Sequence, residues 1–277
     1  MFRFIVLLIL FSFSVISAQA QWTRVFPTPY RYVDMDFYDE NIGFIVSLEE
    51  VSKSIDGGNT WEPVIIPGST PYYSDIVMID RDIIWNVSGG YVKSPGNGIV
   101  CKSEDGGSTW EVKLVDIELD LYELYFFDEN IGFLSTNDPR YYSTTDGGET
   151  WTLSDEMPPN WINNFHFINE DTGWICGGGD FLYIARTTDG GISWETQLSD
   201  TLPEYSTVTD IEFVNDLKGF ASSGNRTLLT TSDGGETWEY LSTYQNAGVL
   251  LGLPADYRIM DIEFIDENLG WITGGPC

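Results

Sequence analysis

The chain of 277 residues carries 43 acidic and 13 basic side chains, a formal net charge of −30, and so acidic a surface repels nucleic acid and anionic membranes. Aromatic residues make up 15%, apolar mass enough for a packed core and too much for a disordered acidic chain. With one histidine, His166, and three cysteines in no CxxC or His/Cys cluster, zinc chemistry and a Ser-His-Asp triad are excluded, and no metal or cofactor is expected.

Residues 1–20 read as a secretory signal peptide. Met1-Phe2-Arg3 supplies a positive start, residues 4–17 are almost wholly apolar, and Ala18-Gln19-Ala20 is a small-residue cleavage site. The mature chain then starts at Gln21, and loss of Arg3 takes its charge to −31. No other apolar run approaches the roughly 20 residues that cross a bilayer. The protein is therefore expected to be secreted, periplasmic or on the cell surface, with no membrane span once the leader is cleaved. Cys101, Cys176 and Cys277 are an odd number at unrelated positions, which argues against a disulfide framework. Buried free thiols are expected at Cys101 and Cys176.

Residues 21–25, Gln-Trp-Thr-Arg-Val, have the look of a single outer strand. Two sequence units then alternate. The first has copies at 35–44, 124–133, 165–174, 211–220 and 262–271, with a degenerate copy lacking the glycine at 76–85. Apolar residues alternate before an Asp/Asn-rich turn, and a Gly-aromatic pair opens the next strand, which predicts a hairpin. The second unit is Ser/Thr-x-Asp-Gly-Gly-x-Ser/Thr-Trp, at 54–61, 103–110, 144–151, 187–194 and 231–238. Its tryptophans (Trp61, Trp110, Trp151, Trp194, Trp238) lie 49, 41, 43 and 44 residues apart, the period of a repeat architecture.

Each octapeptide predicts a tight turn between strands. Asp56, Asp105, Asp146, Asp189 and Asp233 accept hydrogen bonds from the backbone just ahead of them, and the glycines supply positive φ. A catalytic or calcium role is the weaker reading, because one site needs no five identical copies and the alternating ligands of an EF-hand are missing. The tryptophans are expected in equivalent, largely buried places. Each repeat is then strand, acidic turn, strand, variable loop, strand, octapeptide turn, strand. The first two strands of five complete repeats fall at about 33–49, 75–88, 122–136, 163–177 and 209–223, and a sixth repeat begins near Arg258. No helical periodicity persists, so the fold class is all-β.

The octapeptide resembles the Asp-box, or bacterial neuraminidase repeat, of sialidases, sortilin-type receptors, xyloglucan-cleaving glycosidases and photosystem II assembly and stability factors. These are β-propellers in which the box marks a turn and carries no activity. The pairing of both units resembles the photosystem II assembly factor family across about residues 21–277. That resemblance implies a propeller of four-stranded blades, with five complete here and a partial sixth. It also implies an exported, non-catalytic binding or assembly scaffold.

In this arrangement the octapeptide and acidic turns share one face, and the variable loops share the other. Unlike loops on a rigid scaffold are where binding concentrates. That loop face is expected to hold Tyr30, Arg31, Tyr73, Arg140, Trp161, Asp180, Arg226 and Arg258, with Arg31, Arg140, Arg226 and Arg258 converging near the channel mouth. The expected partner is a protein or a glycan, and the sequence is silent on oligomers. The alternative is a glycoside hydrolase, sialidase- or xyloglucanase-like, which needs an early Arg-Ile-Pro motif or two opposed carboxylates across a groove. Tyr30-Arg31-Tyr32 does not match that motif. A sortilin-type receptor lacks its cysteine-rich modules here. Because a sixth repeat stops after its second strand, the propeller domain, 21–277, is expected to be incomplete at its C-terminus, or to close imperfectly.

Overall fold

The computed structural model describes residues 32–67, 73–89, 98–116, 118–154, 161–179, 181–201, 207–224, 226–242, 257–266 and 269–276. The leader, the strand expected at 21–25 and Cys277 lie outside them. Five four-stranded antiparallel meanders and a two-stranded hairpin follow one another along the chain. Blade 1 is β1 (Tyr32–Phe37), β2 (Gly43–Ser47), β3 (Val51–Ser54) and β4 (Glu62–Val64); blade 2 is β5 (Tyr73–Met78), β6 (Ile84–Ser88), β7 (Gly98–Ser103) and β8 (Glu111–Asp116). Blade 3 is β9 (Leu121–Phe126), β10 (Gly132–Thr136), β11 (Tyr141–Thr144) and β12 (Thr152–Leu153); blade 4 is β13 (Ile162–Phe167), β14 (Gly173–Gly177), β15 (Leu182–Thr187) and β16 (Glu195–Asp200). Blade 5 is β17 (Val208–Phe213), β18 (Gly219–Ser223), β19 (Leu228–Thr231) and β20 (Glu239–Ser242), and β21 (Tyr257–Asp266) with β22 (Leu269–Pro276) begins blade 6. No described residue is helical. The fold is a β-propeller in which β1, β5, β9, β13, β17 and β21 pack on one another in succession and so form the inner ring.

The hydrophobic core lies between blades rather than within them. One cluster joins Phe44 and Val46 of blade 1 to Ile76 and Ile84 of blade 2. The others join Trp85 to Leu124, Phe133 to Phe165, Trp174 to Ile211 and Phe220 to Ile262. Each blade is thus stabilised by apolar surface that only its neighbour can cover.

Both turns are held by their own side chains. Asp56 Oδ1 accepts from Thr60 N–H at 2.8 Å and from the Ser54 hydroxyl at 3.0 Å, while Oδ2 accepts from the Thr60 hydroxyl at 2.7 Å. The same bonds recur around Asp105, Asp146, Asp189 and Asp233. Asp39 Oδ1 accepts from Asn41 and Ile42 N–H at 2.8 Å, closing the acidic turn. The first box glycine then donates to that turn's carbonyl, Gly57 to Asn41, Gly106 to Asp82, Gly147 to Asn130, Gly190 to Asp171 and Gly234 to Leu217. The two turns are therefore riveted together at one end of every complete blade.

The second box glycine, also at positive φ, is a socket for the preceding blade. A Cβ on Gly107, Gly148 or Gly191 would meet Phe44, Trp85 or Phe133 at 2.7, 2.1 or 2.8 Å. The glycine of the Gly-aromatic pair has a partner inside its own blade. A Cβ on Gly43, Gly132, Gly173 or Gly219 would strike the last aromatic of the first strand, Phe37, Phe126, Phe167 or Phe213, at 2.4 to 2.7 Å. The degenerate repeat resolves here: Met78 replaces that phenylalanine, so Ile84 replaces the glycine.

The box tryptophans do occupy equivalent places. Trp61, Trp151, Trp194 and Trp238 each meet the same-blade phenylalanine edge-on, with centroids 5.8 to 6.0 Å apart. They are half-buried rather than largely buried, because each opens an outermost strand whose far side faces solvent. Cys101 and Cys176 are free and buried, with burial pushing the Cys101 thiol up to about 11.

Candidate functional site on the loop face and inner ring

The loop end differs in every blade. The connections from second to third strand occupy 48–50, 89–97, 137–140, 178–181 and 224–227. In blade 3, Arg140 folds back on Asp138, with Nε 2.9 Å from Oδ2, and the Thr136 hydroxyl donates to the Arg140 carbonyl at 2.8 Å. Burial alone would raise the Asp138 carboxyl, but hydrogen bonds from the Arg140 side chain and backbone outweigh it and hold it below the usual range. In blade 5, Arg226 has φ of 68° and its N–H donates to the Ser223 carbonyl at 3.0 Å. Arg226 is only 5% exposed, so it shapes its loop from inside instead of standing out from it. Trp161 is 52% exposed and precedes β13, and its carbonyl accepts Gly178 N–H at 3.1 Å.

Tyr73 opens β5 and Arg258 lies in β21, paired with Gly275; both sit in strands rather than in the loops expected for them. Tyr141 starts β11 and is buried, its hydroxyl donating to the Gly191 carbonyl at 2.6 Å. Tyr30, Arg31 and Asp180 lie outside the described residues.

What sequence reasoning missed is the inner ring. The third residue of β1, β5, β9, β13 and β17 is Asp34, Asp75, Glu123, Asn164 and Asp210, and the fifth residue of the longer β21 is the equivalent Asp261; two residues on stand Asp36, Tyr125, His166, Glu212 and Glu263. These side chains latch the blades. Asp34 accepts Ile76 N–H at 2.9 Å, Asp75 accepts Leu124 N–H at 2.5 Å and Asp210 accepts Ile262 N–H at 2.8 Å. One layer on, Asp36 accepts Met78 N–H at 2.7 Å, Tyr125 accepts Phe167 N–H at 3.2 Å, His166 Nε2 accepts Phe213 N–H at 3.1 Å and Glu212 accepts Phe264 N–H at 2.6 Å. At the second position, Ser74, Asn163 and Thr209 donate to the Leu121, Val208 and Ile259 carbonyls. An innermost strand has no strand beyond it, so its inward N–H groups need such acceptors. Superposing the six hairpin units would have exposed the signal, an acid or amide one residue before each conserved apolar position.

The latches change the acidity of the ring. Burial first, then the charges of Glu123 and Asp34, push the Asp75 carboxyl well up. Burial and the Asp34, Asp210 and Asp261 carboxylates do the same to Glu123. Burial and the bond with Asp261 raise Asp210, and burial takes Glu212 to about 7. His166 is pushed down to about 4 by burial, so it is a neutral acceptor. The box carboxylates go the other way, Asp233 to about 2, through the Thr237 hydroxyl and N–H. Among the described residues no group of three or more His, Cys, Asp or Glu is arranged to hold a metal ion.

A family model described as photosynthesis system II assembly factor YCF48 matches residues 107–206 and 200–277. A photosystem II assembly lipoprotein Ycf48 from Synechococcus sp. (strain CC9902) is 30% identical over 135 residues, 46% of this chain and 39% of that protein. The chain therefore aligns with well under half the length of this curated relative. The solved YCF48 from Cyanidioschyzon merolae superposes with a TM-score of 0.51 at 19% identity, covering 91% of this chain and 95% of that one. An ancestral GH74 enzyme superposes with a TM-score of 0.57 at 15% identity, over 77% of this chain and 33% of that one. Both structural likenesses are likenesses of fold.

Proposed function

The chain belongs to the photosynthesis system II assembly factor YCF48 family, whose model covers more than half of its length, and on that footing we propose that it is an exported, non-catalytic propeller that holds a polypeptide segment of a client during assembly. The relatives' description as assembly lipoproteins supports both export and the assembly role. The observation that carries the reading is the contrast between the two ends of the blades. At the turn end, each box aspartate has both oxygens occupied by its own turn, leaving a repeated acid with nothing to offer a substrate. At the loop end, every blade presents a different connection on a rigid frame, the arrangement in which binding sites are built.

The proposed contact residues are those of the loop end: Arg140, Arg226, Arg258 and Arg31, with Tyr30, Tyr73, Trp161 and Asp180. Trp161, exposed and ahead of an inner strand, is the aromatic anchor, and Arg140 and Arg258 supply charge for client carboxylates. Arg226 acts by shaping its loop. The glycosidase reading draws on the fold likeness to a GH74 enzyme alone. A panel of peptides tiling the photosystem II reaction-centre subunits, measured by fluorescence anisotropy, tests the proposal beside a glycan array and a xyloglucan and sialyllactose hydrolysis assay. Binding of a peptide, weakened about tenfold or more in Trp161→Ala and Arg140→Ala, which is about 1.4 kcal/mol, supports it. Sugar release, or no peptide bound, overturns it.

A further inference from the structure

The latches of the inner ring differ in charge from junction to junction. Between blades 3 and 4 the second layer is closed by the Tyr125 hydroxyl, and between blades 4 and 5 by the neutral His166 ring. Between blades 1 and 2 an acid meets an acid in one layer only. The Ile76 N–H is shared by Asp34 at 2.9 Å and Asp75 at 2.8 Å, while the blade 2 equivalent of Asp36 in the next layer is Val77. Between blades 2 and 3, Asp75 meets Glu123, and the next layer has Val77 and Tyr125.

Between blades 5 and 6 both layers are acidic on both sides. Asp210 Oδ1 accepts Ile211 N–H and Oδ2 accepts Ile262 N–H, each at 2.8 Å, and the Asp210 carboxyl is also hydrogen-bonded to that of Asp261. A carboxylate has no hydrogen to give, so that bond exists only while one of the two acids carries a proton. Two residues on, Glu212 Oε2 accepts Phe264 N–H at 2.6 Å, and the equivalent residue of blade 6 is Glu263. Burial first, then the bond with Asp261, pushes the Asp210 carboxyl well up. Burial takes Glu212 to about 7, with the charges of Glu263 and Asp261 adding to it and the bond from Phe264 N–H opposing it.

The described side chains around these layers supply no counter-charge. β13 brings Asn164 and the neutral His166, β14 the Cys176 thiol and β9 the Glu123 carboxyl, while β18 and β22 have no titratable residue. Arg186 of β15 lies over the Trp174 ring at 5.4 Å, and Lys218, just ahead of β18, donates to the Thr230 hydroxyl at 2.6 Å. On β21 itself, Arg258 is paired through its backbone with Gly275. Apolar contact holds the same junction independently of pH: Phe220 stacks on Phe264 with centroids 3.7 Å apart, and Leu228, Ile259 and Ile262 complete the cluster.

We propose that the junction between blades 5 and 6 is a pH-sensitive latch, firm while one proton stays in each acid pair, Asp210 with Asp261 and Glu212 with Glu263, and loosened when those protons leave and like charges face one another. A protonated Glu212 still accepts Phe264 N–H through its carbonyl oxygen, so the latch keeps its bond in the acid form. Ionisation keeps the bond but sets two negative charges together in a partly buried layer. Because the closed junction holds its protons more tightly than the open one, its support is greatest at low pH and falls as pH rises towards and past 7. A carboxyl that titrates at about 7 when closed, and in its ordinary range when open, by itself makes opening about tenfold more frequent at pH 8 than at pH 6.

Amide hydrogen exchange of the full chain, at pH 6 and pH 8 and corrected for the intrinsic rate, tests the latch. Peptides covering 257–266 report the acidic junction, and peptides covering 162–167 report the neutral one that Tyr125 closes. The expected result is a loss of protection of at least about tenfold at 257–266, with a change of less than about twofold at 162–167. The double variant Asp210→Asn, Glu212→Gln keeps acceptors for Ile262 and Phe264 N–H and lacks the charges, and it should be equally protected at both pH values. Should it fold poorly, Glu263→Gln on the exposed side of the pair decides instead, and it should lessen the loss at 257–266. Equal change in the two peptides, unchanged protection at 257–266, or a pH response that survives these substitutions undiminished would each overturn the proposal.

Discussion

Substituting alanine for Gly148 tests the aromatic-on-glycine socket that joins blades 1 and 2, 2 and 3, and 3 and 4. Gly148 has φ of 76°, and a Cβ there would lie 2.1 Å from Trp85 Cη2 and 2.9 Å from its Cζ2. Trp85 has no room to withdraw: it is fully buried, stacked on Phe126 at 4.8 Å and edge-on to Trp151 at 6.1 Å. Two costs therefore add. The left-handed backbone costs a non-glycine residue about 1–2 kcal/mol, and forcing a methyl into a packed core costs about 1–3 kcal/mol more. The total is roughly 2–5 kcal/mol. Gly58 is the internal control, since its φ of 78° lies within the 76° to 90° of the second box glycines but its nearest contact is its own Trp61 ring at 3.3 Å. Gly58→Ala should cost only about 1–2 kcal/mol, the backbone part alone. Gly191→Ala, against Phe133 at 2.8 Å, should fall between them. Urea denaturation followed by tryptophan fluorescence reads the difference directly, with m-values checked for constancy. If Gly148→Ala and Gly58→Ala destabilise equally, within about 0.5 kcal/mol, the aromatic-on-glycine junction is not a determinant of stability.

Other outcomes follow from the same contacts. Stability should rise as pH falls from about 8 to about 6, because Asp75, Glu123, Asp210 and Glu212 have raised folded-state pKa values, and such groups favour the folded state increasingly as they protonate. His166, depressed to about 4, opposes this below about 6.5, and the box carboxylates, Asp233 at about 2, withdraw their support below about pH 4; thermal melts across pH check the curve, and Glu212→Gln should flatten its upper limb. Asp189→Ala should lower the melting temperature, since Ser193 N–H and the Ser193 and Thr187 hydroxyls lose their acceptor, yet leave peptide affinity unchanged; an anisotropy titration that shows lost binding at full stability would refute the turn role. Cys101 and Cys176, buried and raised by desolvation, should react with a thiol reagent only at the rate of unfolding, and prompt labelling in native buffer would contradict their burial.

The period of the octapeptide, the alternating hairpin unit and the absence of helical periodicity were enough to determine an all-β repeat fold and to place the first two strands of each repeat within two residues, and the resemblance of the octapeptide to the Asp-box added that the repeats are propeller blades. Local chemistry is why: Asp189, the two glycines and Ser193 make their turn from atoms within five residues of one another, so the residues that cause the turn are the residues that spell it. The degenerate repeat was legible only as a copy lacking its glycine, and the contact of that glycine with the phenylalanine in the other blades explained why Met78 and Ile84 replace the two together. Tertiary structure alone decided the rest. Asp75 looked like any other acid in a chain of charge −30, but its partner, Leu124 N–H, is 49 residues away on another blade. Arg226 read as an exposed loop cation and is buried, and the box tryptophans read as core and are half-exposed. Burial and pairing of this kind depend on which blade stands next to which. That is a property of the succession of inner strands, and no window of sequence shorter than a whole repeat contains both halves of a latch.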